Sequence, residues 1–292
     1  MPRLPSRPRT VCFVKYYQKG STDIAADQMA DALRRHGVES RSLFASELGG
    51  VRDAALVFIK RADLAHLLLG RLQGNALVLD VHDTIVFRRG IRWAALYDGL
   101  IFRTERARHD FGGRKGVVIP HHWDERYGPH RAPLDRLRLA FIGHPRSYPF
   151  APGELPGVEL VFDDWFARAP AFNAHLSVRR PGREWLYKPN LKVATAAACG
   201  AVLIATPDVG TVEDLGEDYP FYTGPGREEV MAAMARAERL LGGPEWRRAL
   251  ELLAAVRERI TLPRVTTLYV DFLQRFGALA RCAEPAGTTA LA

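Results

Sequence analysis

Cysteine is scarce. Cys12, Cys199 and Cys282 are three in 292 residues, far apart and without ligand spacing. They give neither a disulfide framework nor a zinc motif, and they fit a reducing cytoplasm. No apolar run approaches the roughly 20 residues of a membrane span. The basic opening Met1–Arg9 has no apolar stretch behind it, so it does not read as a signal peptide. No RNP, KH or helix-turn-helix pattern is present and the basic residues are dispersed, which argues against nucleic acid as a partner. There is no low-complexity segment. There is also no repeat beyond two similar halves.

The residues present describe a globular chain. Hydrophobic residues make up 47% of it, enough for two cores of ordinary size. The net charge is +8, which favours an anionic partner such as a phosphorylated substrate. A basic surface also allows peripheral contact with the inner face of an anionic membrane. The expected location is the cytoplasm, with that contact as a variant. An Arg- and Ala-rich composition equally reflects a GC-rich genome.

Apolar runs alternate with amphipathic ones. Strands are expected at Thr10–Val14, Val38–Leu43, Ala54–Lys60, Ala76–Val81, Gly99–Phe102 and Val117–Pro120. A helix is expected from Ile24 to Arg35, closed by Gly37, and another from Ala62 to Gln73. The pattern restarts after an aperiodic, proline-bearing stretch from His121 to Pro133. New strands follow at Leu137–Gly143, Val158–Phe162 and Ala174–Val178. Helices are expected at Arg227–Leu241 and Pro244–Arg259, then a break at Leu262-Pro263 and a last helix from Val265 to Leu279. Such alternation predicts parallel sheets covered by helices on both faces.

The richest stretch runs from Tyr187 to Thr206. A basic turn, Lys188-Pro189-Asn190-Leu191-Lys192, leads into a helix of very small residues that Gly200 stops. Val202-Leu203-Ile204-Ala205 then reads as a central parallel strand. Lys188 and Lys192 are four apart, so on one helix they would share a face. A helix start already favours anions, and two lysines there point to a phosphate or diphosphate. A solvated basic helix start is the alternative, although it opposes the helix dipole.

Other candidates sit in loops after strands, where ligands bind in such sheets. Gly143 would let backbone approach a ligand, with His144 or Arg146 beside it. Arg179 and Arg180 follow the Ala174–Val178 strand. Thr211 reads as a cap for a following helix with Asp214 in its first turn; the other reading has Thr211 and Glu213 holding a ligand. His82 and Asp83 follow the fourth strand and are candidate general bases, or else a structural ring and a cap. Lys15, Tyr16, Gly20 and Ser21 belong to the first loop, where ligand contact is expected from some of them. His121 and His122 have no acidic partner at useful spacing, so no metal site is expected.

Two tandem α/β units, a proline-bearing linker and a terminal helix resemble the GT-B glycosyltransferases. The resemblance is strongest from Leu137 to Leu273 and rests on Phe141-Ile142-Gly143, Lys188–Lys192, Ala198–Ile204 and Gly210–Leu215. It implies two Rossmann-like domains facing a cleft. Residues 1–121 would form the acceptor-side domain, with a helix at 263–280 packing back on it. Residues 134–261 would form the nucleotide-sugar domain, and 281–292 a tail. It further implies metal-independent transfer of a sugar from a nucleotide-diphosphate sugar, UDP or GDP type, to a carbohydrate or small-molecule acceptor, without a resident cofactor. Gly143, His144, Arg146, Arg179, Arg180, Lys188, Asn190, Lys192, Thr211 and Glu213 would hold the donor, and His82 or Asp83 would act as base. Many retaining members carry two glutamates ahead of the small-residue helix. Counting back from Gly200, those positions hold Tyr187 and Thr195, which leans the reading toward inversion. A nucleotide-sugar epimerase of the same fold and a non-catalytic binding module are the rivals.

Overall fold

The computed structural model describes residues 10–18, 20–82 and 91–275. It has two parallel sheets. The first runs in the order β2-β1-β3-β4-β5-β6, built from Thr10–Lys15 (β1), Glu39–Phe44 (β2), Ala54–Ile59 (β3), Ala76–Asp80 (β4), Gly99–Phe102 (β5) and Gly116–Val118 (β6). The second runs β10-β9-β7-β8, from Leu139–Ile142 (β7), Val158–Val161 (β8), Ala174–Ser177 (β9) and Val202–Ala205 (β10). The expected α/β class with two parallel-sheet domains is therefore present. The strands fall within a residue or two of their expected bounds, and 121–133 carries no strand or helix.

The described residues group into two compact units. One holds 10–81, 91–101 and 266–275; the other holds 82 and 102–265. The expected tail at 281–292 lies outside the described residues, as does Asp83.

In the first unit β3 is buried along its whole length, as a central parallel strand must be. A helical run follows β1: Gly20–Thr22 (α1), a π-helical stretch Asp23–Gln28, then Met29–Arg35 (α2). The helix Leu64–Leu72 (α3) follows β3. The last helix, Leu262–Arg275 (α11), lays Tyr269 edge-on against Phe13, ring centroids 6.0 Å apart. The Tyr269 hydroxyl donates to Asp80 at 2.5 Å. The expected break between the last two helices falls at 260–261, just ahead of Pro263. Pro263 sits in the first turn of α11, where a missing N–H leaves no helical bond unmade.

In the second unit the helices are Glu105–Phe111 (α4), Trp165–Arg168 (α5), Arg183–Tyr187 (α6), Leu191–Cys199 (α7), Val209–Leu215 (α8), Arg227–Arg239 (α9) and Pro244–Arg259 (α10). The small residues of α7 are the point of the design. Val193, Ala194, Ala196, Ala197, Ala198 and Cys199 are all buried, which brings the helix backbone close to the sheet. Gly200 ends α7 at φ 63°, and Ala201 N donates back to Ala196 O at 3.0 Å. This left-handed stop suits glycine.

Candidate donor site of the second unit

The site is assembled where β7, β9 and β10 end and α7 begins. Asn190 caps α7. Its Oδ1 accepts from Lys192 N at 3.2 Å, and its Nδ2 donates to Thr211 Oγ1 at 2.6 Å and to Ser177 Oγ at 3.1 Å. The expected helix-start residue Asn190 is thus a buried cap that ties β9 and α8 to α7.

Lys188 and Lys192 do not share one helix. Lys188 closes α6 in an extended conformation, and Lys192 lies in the first turn of α7, because Pro189 separates them. A residue before proline is pushed out of the helical region. Lys188 Nζ reaches Glu184 at 3.3 Å. Lys192 Nζ lies over the Phe141 ring, 4.5 Å from its centroid. Burial, with Arg179 and Lys188 nearby, pulls the Lys192 ammonium down to about 7.

Gly143 is the other wall. Its φ is 151°, and a Cβ there would meet Lys192 Nζ at 3.4 Å. The positive φ is what suits glycine here, and the turn it makes runs beside the Lys192 ammonium. His144 and Arg146 are exposed beyond it; His144 Nδ1 accepts from Arg146 N at 3.2 Å and caps a single 3-10 turn.

Arg179 is the framework cation. Its guanidinium donates to Lys188 O (2.8 Å), Pro189 O (2.7 Å) and Asp208 Oδ1 (3.1 Å). Asp208 is fully buried and was not among the expected site residues. It caps α8 by accepting from Thr211 N at 3.1 Å. The expected cap, Thr211, instead lies inside α8, and Gly210 packs against the Lys188 carbonyl. The Asp-x-x-Thr spacing after β10 was the available signal. Arg180 points outward, donates to Pro149 O at 2.8 Å, and lines an open recess with Phe150, Glu154, Pro181, Pro225 and Arg227.

Three expected residues stand apart from this cluster or outside the description. Glu213 uses both carboxylate oxygens on α4, accepting from Glu105 N at 2.8 Å and Arg106 N at 3.0 Å. His82 is buried; its Nε2 lies 2.9 Å from an Arg103 nitrogen, and its ring meets His121 edge-on. Arginine stays charged, so His82 Nε2 is the acceptor there. Taking a proton at that nitrogen would set two cations side by side. Asp83 lies outside the described residues. Burial and the Arg103 charge bring His122 down to about 4. Among the described residues no group of three or more His, Cys, Asp or Glu is placed to hold a metal ion.

No protein-family model and no curated protein matches the chain. Solved structures do. A glycosyltransferase from Rickettsia africae superposes with a TM-score of 0.69 at 10% identity, covering 93% of this chain and 99% of that one. HepE of Anabaena, solved with UDP and glucose, gives 0.60 at 10% identity, covering 91% and 100%. T4 phage BGT with its UDP-glucose substrate gives 0.54 at 11%, covering 90% and 99%. At this identity the likeness establishes the fold, which is GT-B. No helix among the described residues is long and apolar enough to cross a membrane.

Proposed function

We propose that the protein is a glycosyltransferase that moves a sugar from a nucleoside-diphosphate sugar to an acceptor hydroxyl. The observation that carries this reading is the Lys192 ammonium, held beside Gly143 and Arg179 at the carboxyl ends of parallel strands. A leaving nucleoside diphosphate develops charge as the glycosidic bond breaks. Preorganised cations in a site shielded from water stabilise that charge. Lys192 would meet the diphosphate directly. Arg179, already bonded to the framework, supplies field and shape. Lys188 stands at the rim, and the turn after Gly143 lets the phosphate approach backbone.

The recess beside Arg180 suits the nucleobase. Phe150, Pro181 and Pro225 offer flat apolar surface, and Arg180 and Arg227 border it. The same fold in proteins solved with UDP or UDP-glucose supports a uridine nucleotide as the first donor to try. Side-chain cations meet the diphosphate in this reading, so transfer proceeds without a divalent ion. The acceptor is a carbohydrate or small molecule.

A thermal-shift panel of UDP- and GDP-sugars, with and without EDTA, tests the reading. A ligand at 100 times its Kd stabilises the native state by about 2.7 kcal/mol, about 4 °C for a chain of this size. The shift should survive EDTA and vanish in Lys192→Met. No shift with any nucleotide sugar would remove the donor site.

A further inference from the structure

We infer that the carboxyl ends of β1 and β3 form a binding site for an anionic sugar, a ring bearing a phosphate or a carboxylate. The inference rests on the glycosyltransferase reading for its role, as the acceptor site, and on the first unit alone for its chemistry.

β1 and β3 are adjacent parallel strands, and the residues just past them are Tyr16, Tyr17, Lys60 and Arg61. Lys60 carries a φ of 71°, a left-handed conformation that glycine adopts freely and lysine does not. Strain of this kind gathers at ligand sites. Here it aims the side chain back across the loop after β1. Lys60 Nζ donates to Ser21 Oγ at 2.7 Å and lies 5.6 Å from the centroid of the Tyr17 ring. The Arg61 guanidinium lies 4.8 Å from the Tyr16 ring centroid. Tyr16 is itself fixed: its hydroxyl accepts from Asp63 N at 2.8 Å and pairs with His66 Nδ1 at 2.9 Å.

Two cation–aromatic pairs thus stand side by side. Ser21, Tyr17 and Lys60 are half-buried and Arg61 is exposed. Aromatic faces take the C–H surface of a sugar ring, and ammonium and guanidinium groups take its anionic substituent. The nearby acids include Asp23, Asp27 and Asp63; Asp23 Oδ2 accepts from Gln28 Nε2 at 3.2 Å. Asp27 is engaged internally by buried Lys15 at 2.6 Å and by Gln18 at 2.9 Å. Asp63 is exposed, with one oxygen 4.0 Å from His66 Nδ1. The helix behind Ser21 is π-helical over Asp23–Gln28, a rare geometry found mostly at functional sites. Two unusual backbone features therefore meet at one strand-end cluster.

Calorimetric titration of the full-length protein with glucose 6-phosphate, glucuronate, glucose and inorganic phosphate tests the site. The two anionic sugars should bind at least about tenfold more tightly than glucose, and the better of the two names the anionic group. Lys60→Met should weaken that binding about tenfold, and Lys60→Arg should restore most of it. Lys60→Gly removes the strained side chain, so it should fold with an unchanged or higher Tm while still losing affinity. Anionic sugars no tighter than glucose, phosphate as tight as glucose 6-phosphate, or affinity unchanged in Lys60→Gly would each overturn the site. A lost nucleotide-sugar shift with anionic-sugar binding intact would overturn the transferase reading and leave this site standing.

Discussion

The Arg179 guanidinium lies 3.1 Å from Asp208 Oδ1, and Asp208 is fully buried. The pair joins the end of β9 to the start of α8, and the carbonyls of Lys188 and Pro189 complete the Arg179 fork. Desolvation raises the Asp208 carboxyl and lowers the Arg179 guanidinium, and each group is held charged by the other. The candidate donor site is therefore built on an ion pair whose halves do not tolerate separation.

Asp208→Asn should be strongly destabilising. It keeps a helix cap but leaves the largely buried Arg179 cation without its counter-charge. Breaking a buried pair from one side costs about 3–5 kcal/mol. Urea unfolding should show a loss of about 3 kcal/mol, and a loss below about 1 kcal/mol would mean that the pair behaves like an exposed one.

Lys192 gives the protein a pH dependence of definite sign. Its folded value is about 7, whereas an unfolded lysine titrates near 10.4, an approximate model-peptide value. Between these values the unfolded chain binds more protons, so stability rises with pH from about 7 to about 10. A bound diphosphate favours the charged amine, so nucleotide affinity should fall as pH rises above about 7. Comparing urea midpoints and UDP titrations of wild type with Lys192→Met from pH 6.5 to 9 isolates this group. Parallel pH profiles in the two proteins would refute the assignment.

Gly143→Ala should separate site geometry from fold. The φ of 151° disfavours any side chain, while the new Cβ would meet Lys192 Nζ only in ordinary contact at 3.4 Å. Backbone strain of this kind costs about 1–3 kcal/mol. Relief of that strain would shift the turn beside Lys192, so UDP affinity should drop about tenfold, about 1.4 kcal/mol. Unchanged UDP affinity in a destabilised variant would place the ligand away from this turn.

What the sequence made legible was local. The small-residue helix was readable because its composition, its glycine stop and the apolar strand after it are contiguous. The loops after strands stand out in the sequence because parallel sheets of this kind take ligands there. The four-residue spacing of Lys188 and Lys192 suggests one helix face, whereas Pro189 between them splits them between α6 and α7. Asp208 escaped because its partner Arg179 is 29 residues away in the chain, and only the fold brings them together. The π-helical turn after β1 escaped because an apolar stripe over 24–35 fits either helical period. His82 looked like a base by position. Only the structure puts Arg103 against its Nε2.

Glu213 offers the sharpest test of how the candidate donor site is bounded. The family resemblance implies that it grips the donor, yet its two oxygens accept from Glu105 N and Arg106 N. Thr104 Oγ1 accepts from Ala107 N at 3.2 Å, so three of the first amides of α4 are served by side chains. A carboxylate at a helix start is also favoured by the dipole. The same helix is held at its far end, where Tyr187 donates to Asp110 at 3.1 Å and stacks edge-on with Phe111. Glu213 therefore acts as a strut between α8 and α4. Glu213→Gln keeps one acceptor oxygen and removes the charge, so it should cost about 1 kcal/mol, as the loss of a capping group does. UDP affinity should stay within about twofold of wild type, because both Glu213 oxygens are spent on the amides of α4; a donor contact would instead be worth a factor of ten or more, about 1.4 kcal/mol. Measuring both quantities on one variant decides between the two roles, since a strut moves the unfolding midpoint and a ligand contact moves Kd.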